Sequence, residues 1–356
     1  MAYLTLDRKK LKENYSHLST LFSGRNIEWA IVTKMLCGTE AYIKEIINLG
    51  IREVCDARIS NLKIVKDINP EIQTVYIKPP ARRAVKDIVK YADASFNTEL
   101  KTIQLLSQEA VKQDKLHKII IMIELGDLRE GVMGNELVEF YGSIFELPNI
   151  KVTGIGSNLN CLHGVMPSQD KLIQLSLYKQ LIEAKFDRQI PWVTGGTSVV
   201  IPLIYNHQLP AGINHFRVGE TLYFGADLLN GNVIEGMHHD VLKLYAEIIE
   251  ITKKPKVPIG SLEANPSGEL YEIKEEDYGK TSYRAILDLG LLDISTDYLI
   301  PEDKDFQFVG ASSDMLVIDI NDNEHGYKVG DLVPFDLKYM GALSLLNSAY
   351  IGKKVI

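Results

Sequence analysis

Cysteine is scarce in this chain: the three present, Cys37, Cys55 and Cys161, form no CxxC pair, and an odd number cannot all be joined in disulfides within the chain. Such a set fits reduced thiols better than a disulfide framework or a zinc site. Long hydrophobic runs are missing as well. No stretch approaches the roughly 18 apolar residues of a membrane-spanning helix, and the N-terminus lacks a basic segment followed by an apolar one. The expectation is a cytoplasmic protein. Positive charge is in deficit, 39 Lys and Arg against 47 Asp and Glu, for a net charge of -8 and a pI near 5.6. A surface of that sign cannot displace counterions from a polyanion, so nucleic acid and anionic membranes are excluded as general partners, while a single phosphate can still be bound locally. Low-complexity tracts and internal repeats are also lacking.

What the chain does have is enough material for two cored domains: 356 residues, 46% hydrophobic and 24% charged. Ala2 to Leu6 reads as a short strand, and Asp7 can cap a helix whose Leu11, Tyr15, Leu18 and Leu21 recur at helical spacing. Short β-type runs then alternate with amphipathic helical segments. They are the run ending at Lys34, Glu53-Val54-Cys55, Thr74 to Ile77, Ala94-Ser95-Phe96, Ile119 to Ile123, Val152 to Ile155, Trp192-Val193-Thr194 and Phe216-Arg217-Val218. Eight such units predict a (β/α)8 TIM-like barrel over residues 6–236, with a doubly wound open sheet as the alternative. From Met237 the pattern changes to alternating strands, Leu242 to Ile249, Tyr283 to Leu289 and Met315 to Ile320, with turn-rich stretches such as Asn265-Pro266-Ser267-Gly268 between them. Residues 237–356 therefore read as a smaller all-β domain, joined by strand 2–6 as a further member, with Lys253 to Gly260 as a loop.

The barrel organises around Trp29-Ala30-Ile31-Val32-Thr33-Lys34, a run of strand formers that ends on one lysine. An ammonium at the tip of a buried strand either snorkels to water or has its pKa depressed, and the second outcome makes a nucleophilic, Schiff-base-forming amine. In a barrel of this kind chemistry collects at the C-terminal strand ends. Polar residues do follow the predicted strands: Asp56 with Arg58, Asn97 with Glu99, Glu124 with Arg129, Asn158 with Cys161 and His163, Gly195-Gly196-Thr197-Ser198, and Arg217-Val218-Gly219-Glu220. Each also has a structural reading as a cap, a helix-start charge or a salt bridge.

The last two groups offer backbone N–H donors and hydroxyls after the seventh and eighth strands, the place where barrels commonly hold a phosphate. Combined with a strand-end lysine, they point to a phosphorylated aldehyde that condenses with an amine, pyridoxal 5'-phosphate. Arg217 can face its pyridine nitrogen. An arginine keeps its proton at any ordinary pH, so the nitrogen beside it stays unprotonated and the ring is a weak electron sink. That favours removal and return of an α-proton over transamination.

At these residues the whole chain resembles the alanine-racemase-like, fold-type III family of pyridoxal-phosphate enzymes, and within it the ornithine racemase branch. Ile31-Val32-Thr33-Lys34 is similar to the strand with the cofactor lysine. Phe216-Arg217-Val218-Gly219 and Leu222-Tyr223-Phe224-Gly225 resemble its pyridine arginine and phosphate turn, and Leu125-Gly126-Asp127-Leu128-Arg129-Glu130-Gly131 its substrate-side arginine. The resemblance implies a cofactor site from Lys34, Asn158, Thr197, Ser198, Arg217, Gly219 and Glu220, with Arg129 on the substrate carboxylate. It also implies a head-to-tail homodimer in which Val309 to Met315 faces the partner's cofactor.

Several positions depart from the family. The stretch Val257-Pro258-Ile259-Gly260-Ser261 has no tyrosine for the second base, Met122 stands where many relatives have a carbamylated lysine, and Asn158 stands where they have a histidine. The second base is sought at Cys161, whose thiol can titrate lower beside cations, and at Ser313 or Tyr283 of the partner subunit. Glu220 and Asp127 are candidates to receive a basic side chain. The function expected is an amino-acid racemase, an isomerase acting on ornithine or another basic amino acid. The alternatives are a non-catalytic pyridoxal-phosphate-binding protein, against which the β domain argues, and a lyase or decarboxylase on the same scaffold. No metal is expected.

Overall fold

The computed structural model of the chain describes residues 2–265, 268 and 270–356, so Pro266 and Ser267 of the expected turn at 265–268 lie outside the described residues. The chain divides into two compact units, one from Asp7 to Val241 and the other from the N-terminal segment through Leu6 together with Leu242–Lys354.

In the first unit the Asp7 carboxylate accepts the N–H groups of Lys9 and Lys10 at 2.9 and 3.0 Å and starts helix α1, Arg8–Ser23. Its buried stripe is Leu11, Asn14, Leu18 and Phe22. Phe22 takes the place the spacing gave to Leu21 because its ring packs on Trp29 and Phe216, at 5.3 and 4.9 Å between centroids. Asn14 is buried because its amide donates to Leu222 O and His238 O, at 3.0 and 2.8 Å.

After β1, Tyr3–Leu6, the barrel strands are β2 Glu28–Val32, β3 Glu53–Asp56, β4 Gln73–Tyr76, β5 Ala94–Asn97, β6 His117–Met122, β7 Ile150–Gly156, β8 Trp192–Thr194, β9 Gly196–Thr197 and β10 His215–Val218. They form one parallel sheet in the order β8-β7-β6-β5-β4-β3-β2-β10-β9. The strands β8 and β9 are one strand interrupted at Gly195: its first part pairs with β7 and its second with β10. The ring therefore closes through that residue, and the eight expected strands become nine pieces. Helices α2 Glu40–Asn48, α3 Ile59–Ile68, α4 Val85–Tyr91, α5 Leu100–Lys112, α6 Leu137–Ile144, α7 Gln169–Phe186 and α8 Ile201–Tyr205 link successive strands, and α9 Glu220–Phe224 follows the last.

Ala30, Val32, Cys55, Val75, Ala94, Phe96, Ile120 and Met122 form one buried cluster, drawn from alternate positions of β2 to β6. On β7 the alternate positions are glycines for a steric reason. A Cβ on Gly156 would lie 2.6 Å from Thr194 Cγ2 and 3.0 Å from Met122 Sδ. The buried polar side chains inside the ring include Glu53 on β3, Thr194 on β8, and His215 and Arg217 on β10.

A two-strand hairpin, β11 Ala226–Asp227 with β12 Asn232–Val233, closes the first unit. In the second, β13 Leu242–Pro255 is central, flanked by β1, β14 Thr281–Leu287 and β18 Leu332–Leu337, all antiparallel. The sheet continues through β15 Leu299–Pro301, β16 Gln307–Ala311, β17 Leu316–Asp319 and β19 Gly352–Val355. One sequence expectation is corrected. Lys253, Lys254 and Pro255 are strand rather than loop, because they pair with Tyr283, Ser282 and Thr281. The expected all-β architecture also carries one nine-residue helix, α10 Tyr339–Asn347. Among the described residues no helix is long and apolar enough to cross a membrane.

His117, at the start of β6, is 2% exposed and its Nε2 lies 2.8 Å from Ser95 Oγ. Burial pulls its pKa from 6.5 down to about 4. The folded state holds it neutral while the unfolded chain takes up a proton, so its contribution is present above pH 6.5 and lost as pH falls towards 4. Urea titrations should show stability dropping by ~3 kcal/mol across that window, each pKa unit being about 1.4 kcal/mol. In His117→Gln this drop should shrink.

Candidate active site

Lys34 stands two residues beyond the end of β2, on a 3-10 turn, Lys34–Leu36, whose Met35 and Leu36 are buried while Lys34 is exposed. The turn is fixed from below. Thr33 Oγ1 donates to Asp56 Oδ2 at 2.8 Å, and Asp56 also accepts Arg58 N at 2.8 Å and Asn61 Nδ2 at 3.1 Å. Burial pushes the Asp56 carboxyl up, and these donors oppose the shift. Beyond the turn Cys37 and Gly38 are left-handed, with φ 49 and 77, and a Cβ on Gly38 would sit 2.9 Å from Asn61 Oδ1. An exposed amine is thereby carried on a turn held by buried hydrogen bonds.

Arg217, on β10 next to β2, points into the ring and is 4% exposed. Its Nη1 donates to the carbonyl and hydroxyl of Thr194, and its Nη2 donates to Ser157 O at 2.9 Å and Asn158 Oδ1 at 2.7 Å. Its guanidinium carbon lies 5.1 Å from the centroid of the Phe96 ring. Of the five N–H donors of an arginine, only Nε–H has no acceptor among the described residues. Burial lowers the guanidinium pKa to about 10, against the opposite influence of Cys55, Cys161, Glu130 and Glu53. It remains a cation at neutral pH.

Asn158 passes this contact outward, since its Nδ2 donates to Glu130 Oε1 at 2.5 Å. Glu130 in turn grips Arg129 with both oxygens, through Nε and, at 2.7 Å, through Nη2. Nη1 of Arg129 has no acceptor among the described residues. The loop carrying this pair is folded by its own carboxylates. Glu124 Oε1 accepts Gly126 N and Leu128 N, at 2.5 and 3.0 Å. Gly131 runs so close to Glu124 that a Cβ would be 2.2 Å from its nitrogen. Asp127, 2% exposed, accepts Cys161 N and Leu162 N at 3.1 and 2.9 Å, and His163 N and Val165 N each at 3.3 Å. Burial raises its pKa, but these four N–H groups outweigh burial and the carboxyl is held below the ordinary carboxylate range. Asp127 is consumed as a loop clasp and is not available to a basic side chain.

On the other side of Arg217, Ser198 Oγ accepts Gly219 N at 3.4 Å and Thr221 N at 3.2 Å, with Thr197 half-buried beside it. A Cβ on Gly219 would meet Val32 Cβ at 3.3 Å, which keeps this backbone against the Lys34 strand. Glu220 is half-buried, and its carboxyl is raised by burial, with the charge of Lys34 opposing.

Cys161 is an exposed residue whose sulfur packs 3.5 Å from Leu159 O. Burial of the sulfur pushes the thiol up; Arg129 and Lys34 pull it down, and Glu130 and Asp127 push it up again. The lowered thiol expected beside cations is corrected here: two carboxylates stand with the two cations, and desolvation wins. Ser313 is exposed in the second unit, bonded to Asp314 Oδ2 at 2.7 Å. Glu99 is a helix cap, accepting Lys101 N and Thr102 N. Sequence reasoning missed Glu130, Thr194, Ser157 and His215. A usable signal existed for the last, because His215 and Arg217 alternate on one strand opposite Glu53 and Cys55 on another. Asn97 Oδ1 and Ser157 Oγ, at the ends of β5 and β7, are buried with no hydrogen-bond partner among the described residues.

A parallel ring with a lysine, a buried arginine and converging N–H groups at its strand ends places the chain in a class: it belongs to the alanine racemase family, whose N-terminal domain matches residues 6–227. Among its relatives, ornithine racemase of Acetoanaerobium sticklandii is 36% identical over 354 residues, 99% of either chain. Lysine racemase of Thermotoga maritima is 30% identical over 350 residues, 98% of this chain and 97% of that one. The fold is shared with alanine racemase from Bartonella henselae, solved with covalently bound pyridoxal phosphate, at a TM-score of 0.76 and 17% identity, covering 100% of this chain and 99% of that one.

Asp127→Asn replaces an acceptor of four N–H groups by an amide with one oxygen. A hydrogen bond to a charged group contributes ~1.5–3 kcal/mol, so the amides of Cys161, Leu162, His163 and Val165 should exchange with deuterium about tenfold faster or more. Unchanged exchange at these four amides would remove Asp127 as the clasp.

Proposed function

We propose that this chain is a pyridoxal-5'-phosphate-dependent racemase of a basic amino acid, with ornithine the first substrate to test and lysine the second. The observation that carries the reading is Arg217: a buried cation with four donors held by the barrel and one left over, on the strand beside that of Lys34. The full-length likeness to the ornithine and lysine racemases supports the choice of substrate.

The residues present fit the cofactor. Arg217 Nε–H suits an acceptor ring nitrogen, the N–H groups of Gly219 and Thr221 with Ser198 and Thr197 suit a phosphate, and the unpartnered Asn97 Oδ1 and Ser157 Oγ leave polar capacity at the strand ends. Bound there, the cofactor supplies an aldehyde that condenses with amines and a ring that disperses the electron pair left when an α-proton departs. Lys34 Nζ would take that proton from one face, a second carrier would supply one to the opposite face, and the roles would exchange in the reverse direction. Arg129 Nη1 receives the substrate carboxylate while Glu130 holds its other side. Arg217 keeps its own proton, which disfavours protonation of the ring nitrogen and with it transamination. Glu220, half-buried at the mouth, is the carboxylate left to meet a substrate ammonium. The second proton carrier is Cys161, or Ser313 of the partner subunit. A thiol raised by burial is protonated at neutral pH, so it serves first as the donor. We assign the protein to the cytoplasm and to a head-to-tail homodimer.

Chiral chromatography of L-ornithine, L-lysine and L-alanine incubated with the reconstituted protein tests the reading. The D-enantiomer should accumulate from the basic substrates with total amino acid constant. Net conversion to a diamine would make it a decarboxylase, and cofactor uptake without turnover a binding protein. Lys34→Ala should fold, yield no borohydride-fixed cofactor at a lysine, and lose racemisation by ~10²–10⁴-fold or more. Cys161→Ser should slow racemisation in both directions, yet retain exchange of the α-proton with solvent deuterium in the enantiomer that Lys34 deprotonates. Full activity in Cys161→Ser would move the second carrier to the partner's β unit.

A further inference from the structure

Beneath Arg217 a line of polar side chains runs through the barrel interior and takes no part in the chemistry above. Thr194 Oγ1 lies 2.8 Å from Nδ1 of His215, and Nε2 of His215 lies 3.1 Å from Glu53 Oε1. Glu53 Oε2 accepts Gln73 Nε2 at 2.6 Å, and Gln73 Oε1 accepts Lys118 Nζ at 2.7 Å. His215 is 1% exposed, Thr194 0% and Glu53 7%, and the indole of Trp192 is stacked on the imidazole at 4.6 Å.

The direction of each bond follows from proton counting. Arg217 Nη1 donates into Thr194 Oγ1, so the single hydroxyl hydrogen must go elsewhere, and Nδ1 of His215 is the acceptor within reach. Nδ1 therefore carries a lone pair, and Nε2–H points at the Glu53 carboxylate. Any other arrangement strands a buried hydroxyl hydrogen or sets a ring lone pair against a carboxylate, each costly in a dry interior. Arg217 itself touches only neutral oxygens. Its counter-charges, Glu53 and Glu130, each stand behind intervening neutral groups.

We propose that His215, held as its neutral Nε2–H form by Glu53, is a positioning residue for Arg217: it turns the Thr194 hydroxyl to accept from Nη1 and so aims the free Nε–H at the cofactor ring. The inference rests on the cofactor assignment above. It separates two tasks: the remote Glu53 compensates the buried cation, and the hydrogen bonds that fix its orientation are all made to neutral groups. A carboxylate in direct contact would compete with a ring nitrogen for Nε–H.

The test compares the parent with His215→Phe, which keeps a ring against Trp192, His215→Gln, which keeps an acceptor and a donor, and Thr194→Val. Each apo protein is titrated with pyridoxal 5'-phosphate, and the visible band of the bound form is followed against pH. His215→Phe and Thr194→Val should each weaken cofactor binding about tenfold, the equivalent of one hydrogen bond to a charged group. The pH midpoint of the band should move by about half a unit or more. His215→Gln should restore both values, and His215→Phe should add nothing in a Thr194→Val background. Parent-like affinity and midpoint in folded His215→Phe, or additive effects in the double variant, would overturn the proposal. If His215→Phe does not fold, parent-like behaviour of Thr194→Val alone would overturn it. A parent that takes up no cofactor removes the proposed function and this inference with it, whereas a binding parent with indifferent variants removes this inference alone.

Discussion

A guanidinium cannot be buried without company, and the barrel is arranged to supply it. Taking such an ion out of water is unfavourable by several kcal/mol, and a hydrogen bond to a charged group returns ~1.5–3 kcal/mol. Arg217 makes four, to Thr194 twice, to Ser157 and to Asn158. These partners come from the ends of β7 and β8, so the strands on either side of the ring's closure must hold their register for the cation to be tolerated. The glycines of β7 follow from the same requirement. With side chains at Gly154 and Gly156 the space taken by Ile120, Met122, Trp192 and Thr194 would be gone.

From that cation the order spreads outward to the mouth. Asn158 reaches Glu130, Glu130 holds Arg129, and the segment between Glu124 and Val132 is folded back by two carboxylates that spend their lone pairs on backbone N–H groups. Loops at a barrel mouth are commonly mobile. Here the loop that presents Arg129 is tied to the following one through Asp127, while Lys34 is an exposed side chain on a turn held by Thr33 and Asp56.

Much of the fold was legible from spacing. Apolar runs alternating with amphipathic segments gave the barrel strands within a few residues, since a strand buried on both faces has little choice of composition. The sequence misled where tertiary contact overrides a local signal. Pro255 and two lysines look like a loop, yet pair with Thr281, Ser282 and Tyr283 because the long strand β13 has a neighbour that reaches that far. Leu21 fits the helical stripe as well as Phe22 does, and only the rings of Trp29 and Phe216 decide between them.

For the site the division is sharper. The sequence by itself placed Lys34, Arg217 and the Ser198 and Gly219 turns at strand ends, because a closed parallel sheet sends all its C-terminal ends to one face. What it left undecided was which polar residues are spent on structure. Asp127 and Glu99 are as acidic as Glu220 in the sequence, but the first clasps four backbone N–H groups and the second caps a helix. The thiol of Cys161 lies near two cations, yet its pKa rises because desolvation and two carboxylates stand with them. His215, two residues from Arg217, reads as an ordinary strand residue until closure of the ring brings it against Thr194 and Glu53. Hydrogen-bond partners far apart in the chain are set by how the strands register around the ring, and that register exists only once the barrel has closed.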